Sequence, residues 1–236
     1  MNENQAYEDF YPLSPMQQGM FYHSLLRPGS GIYVEQMSCT IEGSLDAAAF
    51  ERAWQQVLDR HAILRTGFAG RGLKEPVQVV HRRAALPSER LDWRGLPPAE
   101  QEPRFQAYVA EDRRRGLALD KPPLLRLTLV RMADAAWRLL WTHHHLLLDG
   151  WSVPLLLQEA FARYEALREG RALQLPPPPR FRDYIAWLRR QDMGKAEAFW
   201  RQTLAGFSSP TPLPADRPIT SAEVEARPAE QEARLT

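Results

Sequence analysis

The stretch from Leu124 to Gly150 constrains the fold more than any other part of this chain of 236 residues. Leu125, Leu127 and Leu129 alternate with Leu124, Arg126, Thr128 and Val130, so the segment to Arg131 reads as a strand with one apolar and one mixed face. Ala133-Asp134-Ala135 reads as a hairpin connection, and Trp137 to His145 as the return strand, ending on three consecutive histidines. At least one antiparallel pair is therefore expected.

Helices are signalled around it. Ser14 is placed as an N-cap with Pro15 at the first helical position, and Met16, Met20, Phe21 and Leu25 follow at near-helical spacing until Pro28-Gly29. Residues 34–43 read as a strand, turned by Gly43-Ser44. From Asp46, the residues Ala47, Phe50, Trp54, Val57 and Leu58 share one face of a helix that ends near His61. Val77 to Val80 reads as a short strand, and residues 86–99, with three prolines and a glycine, as loop. Phe105, Tyr108 and Val109 mark another helix, stopped by Gly116. Further helices are expected from about Pro154 to Arg168, closed by Gly170, and over Phe181–Gln191 and Lys195–Leu204. The order gives an α/β fold: a mixed sheet with packed helices. Residues 1–207 are expected to form one lobe. From Ser208, with Pro210, Pro212, Pro214, Pro218 and Pro228, a Pro-rich linker or tail is expected over 208–236.

Composition narrows the function classes. Hydrophobic residues make up 44% of the chain, enough for a well-buried domain. Thirty basic residues balance 29 acidic ones, for a net charge of +1, so no nucleic-acid partner is expected. Arg113-Arg114-Arg115 follows Glu111 and Asp112 and reads as a solvated helix end. The single cysteine, Cys39, excludes an intramolecular disulfide and reads as a buried, inert thiol in a reducing compartment. Met1-Asn2-Glu3-Asn4-Gln5 has no apolar core of a signal peptide, and no window reaches about 18 uninterrupted apolar residues, so a cytoplasmic protein without a membrane span is expected.

The chemistry concentrates in Trp141-Thr142-His143-His144-His145-Leu146-Leu147-Leu148-Asp149-Gly150-Trp151-Ser152. Strand alternation points His143 and His145 one way and His144 the other. Three readings compete. His143 and His145 could form a metal pair, but His23, His61 and His81 offer no matching third ligand, and no metal is expected. The histidines could be bonded into the core. Or one could be an acid–base or positioning group at a strand end, with Asp149 fixing the loop and Gly150 allowing a backbone that a side chain would hinder.

The pattern His144-His145-Leu146-Leu147-Leu148-Asp149-Gly150, followed by Trp151-Ser152, resembles the His-His-x-x-x-Asp-Gly motif of condensation-type domains of nonribosomal peptide synthetases. These are relatives of chloramphenicol acetyltransferase. Leu13-Ser14-Pro15-Met16-Gln17-Gln18-Gly19-Met20 is similar to the first core motif, in its condensation rather than epimerisation form. Arg60-His61-Ala62-Ile63-Leu64-Arg65-Thr66-Gly67-Phe68 is similar to the second, departing at Ala62, where an acidic residue is usual. Pro123-Leu124-Leu125-Arg126, Phe181-Arg182-Asp183-Tyr184-Ile185-Ala186-Trp187, Phe199-Trp200 and Ala215-Asp216-Arg217-Pro218 follow in family order. The resemblance runs from about residue 9 to residue 218 and lacks the motifs of the second lobe.

The resemblance implies a chloramphenicol-acetyltransferase-like two-layer lobe, the N-terminal half of a V-shaped domain. It implies an acyltransferase reaction, the amide-forming attack of an acceptor amine on a donor thioester. Each substrate rides on the phosphopantetheine arm of a carrier protein, and the domain itself binds no cofactor. His145 is then the catalytic residue, as base or as positioning group. His144 supports the loop through hydrogen bonds. Asp149 and Arg65 form a structural ion pair. Gly150 leaves room at the substrate channel, and Trp151 and Ser152 serve packing and helix capping. The expected partners are donor and acceptor carrier proteins, the missing C-terminal lobe and neighbouring synthetase domains. Without that second lobe the chain alone is expected to be inactive. Two rivals share the fold: a non-catalytic recruitment platform and an epimerisation-type domain.

Overall fold

The computed structural model describes residues 6–209 and residue 211, so the Pro-rich segment beyond them, with Ala215-Asp216-Arg217-Pro218, lies outside the described residues. The chain divides into two compact units between Arg190 and Gln191.

The first unit is built on a four-stranded sheet of β2 (Val34–Glu42), β7 (Ala136–His144), β6 (Leu125–Ala133) and β5 (Ser88–Asp92), in that order. Both pairings of β7 are antiparallel and β5 runs parallel to β6, which makes the sheet mixed, as expected. Alternation along β6 and β7 sorts side chains to two faces. Leu125, Leu127, Leu129, Trp137, Leu139 and Trp141 pack against Phe50, Ala53, Trp54, Val57 and Leu58 of α2 (Ala47–Arg60) and Leu156, Ala160 and Tyr164 of α4 (Ser152–Arg168). Val130 and Leu140, on the opposite face, pack with Phe105 of α3 (Pro98–Arg115) and with Trp93.

The helix starts follow local rules. Ser14 and Gln17 form a reciprocal capping box at α1 (Pro15–Leu26), and the Asp46 side chain accepts from the Ala49 amide at 2.9 Å to start α2. Gly116, at φ +64°, ends α3, and Gly170, at φ +65°, follows α4.

Three strands were not expected from the sequence. β1 (Tyr7–Pro12) and β3 (Thr66–Ala69) flank β4 (Val77–His81) in a small antiparallel sheet, where Tyr11 and Val80 pack with Ile185 of α5 (Phe181–Leu188). The segment read as loop holds β5, the third, and the first two residues of α3. Pro98 is no obstacle there, because the first helical position has no amide to satisfy.

In the second unit, Asp192 caps α6 (Met193–Thr203) by accepting from the Lys195 amide at 3.1 Å. Among the described residues no helix is long and apolar enough to cross a membrane. Cys39 is half-buried on the core face of β2, and burial pushes its thiol pKa up, which suits an inert side chain.

Candidate functional site

The three histidines end up in three different settings because β7 stops at His144. His143 faces α2 with Trp141, its ring 4.7 Å from the indole. Burial, with a smaller contribution from His145, lowers its pKa to about 4. Among the described residues its Nδ1 finds no hydrogen-bond partner, and neither do the Nε1 atoms of Trp54 and Trp141 in the same stack.

His144 faces the other way, toward α1. Its Nδ1 accepts from the Leu146 amide at 3.1 Å and its Nε2 lies 3.4 Å from Ser24 Oγ. Burial, with smaller contributions from His145 and His143, holds its pKa at about 4. Both rings are therefore neutral at physiological pH. His144 also borders a cleft of about 910 Å³, walled by Phe21 and Leu25 of α1, Ile32, Phe68 and Leu119.

His145 opens the turn that leaves β7. It lies one residue past the end of the strand, so strand alternation does not set the direction of its ring. Its Nδ1 lies 2.6 Å from the Leu148 carbonyl oxygen. A carbonyl can only accept, so Nδ1 carries the proton, and in the neutral ring Nε2 keeps its lone pair. The ring is only partly buried, whereas His143 and His144 are 4% and 2% exposed. Of the three, His145 thus combines a fixed tautomer with access. No group of three or more His, Cys, Asp or Glu is placed to hold a metal among the described residues.

The ion pair expected between Arg65 and Asp149 does not form. Asp149 is exposed and caps the start of α4: its Oδ1 accepts from the Ser152 amide at 2.9 Å and from Ser152 Oγ at 2.6 Å. The Ser152 hydroxyl leads the contributions that hold the Asp149 pKa below its usual value. Arg65 is buried beneath β4, where its Nη1 donates to Glu8 at 3.0 Å and to the His81 carbonyl. The reason is local: Asp149 is three residues from an unsatisfied helix start, which it reaches at no cost in order, while Glu8 on β1 reaches Arg65 first. Asp149→Ala is accordingly expected to cost about 1 kcal/mol, the usual loss of a cap, rather than to unfold the protein. A thermal melt that loses the transition altogether would contradict that.

Two further readings change. Trp151 is 88% exposed and lies outside the core of the described residues. Gly150 has no left-handed φ, and a Cβ there would meet nothing within 4 Å, so the turn itself does not require glycine.

A polar network missed in the sequence lies directly behind the motif. The Asp112 carboxylate, buried under α3, accepts from Arg126 Nε at 2.5 Å, Arg115 Nη2 at 2.6 Å, Thr142 Oγ1 at 2.6 Å and Gln36 Nε2 at 2.9 Å. It ties α3 to β2, β6 and β7 two residues before His144. The run Glu111 to Arg115 looked solvated, yet Asp112 lies seven residues after Phe105 and four after Tyr108, on the stripe that faces the sheet.

Comparison with known proteins adds the family evidence. The sequence model of the family described as Condensation domain matches residues 7–235. The chain is 46% identical over 213 residues to a linear gramicidin synthase of Brevibacillus parabrevis, covering 90% of this chain and 3% of that protein. It is 36% identical over 204 residues to surfactin synthase subunit 3 of Bacillus subtilis, covering 86% of this chain and 16% of that protein. Among solved structures, a variant of the starter condensation domain of rhizomide synthetase superimposes with a TM-score of 0.76 at 26% identity, over 86% of this chain and 50% of that one. A variant of the same domain in complex with C8-CoA gives a TM-score of 0.78 at 26% identity, over 88% and 48%. The chain therefore spans a small part of the synthetases and about half of the solved domains.

Proposed function

Because this chain belongs to the condensation-domain family, we propose that it is the half of a peptide-synthetase condensation domain that carries the histidine motif, and that His145 serves amide formation there. The observation that carries the reading is the His145 ring itself, anchored through Nδ1–H to the Leu148 carbonyl, with no hydrogen bond at Nε2 among the described residues.

The chemistry follows from that tautomer. A neutral acceptor amine attacks the thioester carbonyl of the donor, forming the new C–N bond. The tetrahedral species bears a positive nitrogen, whose proton Nε2 of His145 can take. Collapse breaks the C–S bond, the thiol leaves on the donor's arm, and the proton held by His145 passes to the departing sulfur. General-base help of this kind is worth ~10²–10⁴-fold. An α-amino group with an ordinary pKa of about 7.7–8.0 is already partly neutral at cellular pH, so Nε2 need only act as the bond forms. Asp149, bonded to Ser152, offers no carboxylate to Nδ1; the Leu148 carbonyl holds the ring instead.

In this reading the partners are donor and acceptor carrier proteins with phosphopantetheine arms, the second lobe and neighbouring synthetase domains, in the cytoplasm. His144, through Leu146 and Ser24, keeps the turn in place, and Asp149, Gly150, Trp151 and Ser152 form its exit into α4.

The test is a transfer assay with aminoacyl-loaded donor and acceptor carriers, followed by intact mass spectrometry. The full domain, with its second half, is expected to form dipeptidyl-carrier, and residues 1–236 alone are not. Transfer by residues 1–236 alone would overturn the half-site reading. A full domain that only inverts the donor's α-carbon, or does nothing, would overturn amide formation.

A further inference from the structure

We propose that Tyr33, clamped by His23 of α1, is a positioning residue for His145. Among the described residues Tyr33 is the one non-glycine residue with a left-handed backbone, at φ +61°. A tyrosine adopts that conformation only where its surroundings enforce it. Here the enforcement is visible. The Tyr33 hydroxyl pairs with His23 Nδ1 at 2.9 Å, and the two rings lie nearly parallel, at 7°, with centroids 6.2 Å apart. On the far side, the Val34 amide donates to Gly31 O at 3.0 Å, and Arg113 Nη1 donates to the Val34 carbonyl at 2.8 Å.

What the enforced conformation delivers is a carbonyl. Val34 pairs with His144 as the last rung of the ladder between β2 and β7. One residue further, the Tyr33 oxygen accepts the His145 amide at 2.8 Å while the histidine leaves the strand. The His145 backbone is thus held by Tyr33 and its ring by Leu148. The clamp also adjoins the first histidine of the motif: the Tyr33 ring lies 6.4 Å from that of His144, whose Nε2 faces Ser24, the residue after His23. Tyr33 therefore connects α1 to the turn through two neighbouring histidines.

The proposal rests on His145 being the reacting imidazole, but its test reads the ring and the amide directly and does not depend on turnover. In the 236-residue protein, Tyr33→Ala is expected to speed exchange of the His145 amide about tenfold relative to the Leu127 and Leu139 amides. It is also expected to move the His145 ring ¹⁵N signals toward a mixture of tautomers. His23→Ala should shift both readouts the same way by less. Tyr33→Gly, which loses the clamp but adopts a positive φ without strain, should fall between wild type and Tyr33→Ala. Tyr184→Ala, at an exposed tyrosine whose ring contacts are with Phe181 and Trp187 and not with the clamp, should leave both unchanged. If Tyr33→Ala does not fold, His23→Ala and Tyr33→Phe carry the test. Unchanged His145 signals in the clamp variants, or acceleration equal to that of Leu127 and Leu139, would overturn the proposal. A full domain without condensation activity would overturn the functional reading and leave this one standing.

Discussion

His145→Ala, introduced into a complete domain, is expected to slow dipeptidyl-carrier formation about 10²–10⁴-fold in single-turnover measurements. The argument is one of access and tautomer. His143 and His144 are buried, with pKa values lowered to about 4, and Nδ1 of His144 is already taken by the Leu146 amide. Only His145 pairs a defined proton on Nδ1 with a reachable lone pair on Nε2. Its removal deletes one side-chain hydrogen bond, to Leu148 O, so the folded state should lose only about 1 kcal/mol. Rate and melting transition should therefore separate: a large loss of rate with a nearly unchanged melt. A variant that keeps the wild-type rate would remove His145 from the chemistry. One that loses both would show that the ring is structural.

Asp112→Ala should act in the opposite manner, on the fold first. Its carboxylate is buried with Arg126, whose side chain is only 12% exposed, so deletion strands a guanidinium beneath α3. Breaking a buried pair from one side costs roughly 3–5 kcal/mol. Burial by itself would raise the Asp112 pKa, but the hydrogen bonds from Arg126, Thr142 and Arg115 outweigh it and hold the carboxyl at about 2. The sign of the pH dependence follows. A depressed pKa gives stability that is complete above the unfolded value, about 3.9, and is lost as pH falls from there toward 2. Urea unfolding should show the wild type weakening across that window, with the slope flattened in Asp112→Asn. An Asp112→Ala variant of wild-type stability would mean that Arg126 finds another partner.

The parts of the fold legible in the sequence are those written in local chemistry. The N-cap at Ser14, the amphipathic face from Ala47 to Leu58 and the alternation from Leu124 to Arg131 each carry their own signal, and each lies where expected. β5 does not. Ser88–Asp92 has one large apolar residue, Leu91, and becomes a strand only because β6 offers it a parallel edge. The site divides in the same way. Alternation correctly separates His143 from His144, but it sets no direction for His145, which lies past the end of the strand. The Arg65–Asp149 pair was carried by resemblance, and a nearer demand at each end took its place: the start of α4 for Asp149, and Glu8 with the His81 carbonyl for Arg65. Asp112 was hidden by its neighbours, since a run of five charged residues conceals which one faces inward.

The Leu148 carbonyl that orients His145 has a consequence for inheritance. Every residue has a carbonyl, so no single codon change can delete this partner as it could delete a carboxylate or an amide side chain. Point mutation can mis-set the imidazole only indirectly, by bending the main chain of the turn. The turn's apolar side chains, Leu146, Leu147 and Leu148, are all buried and so resist that bending. Drift in such a lineage can rewrite the rim around the histidine while its working face stays where it was.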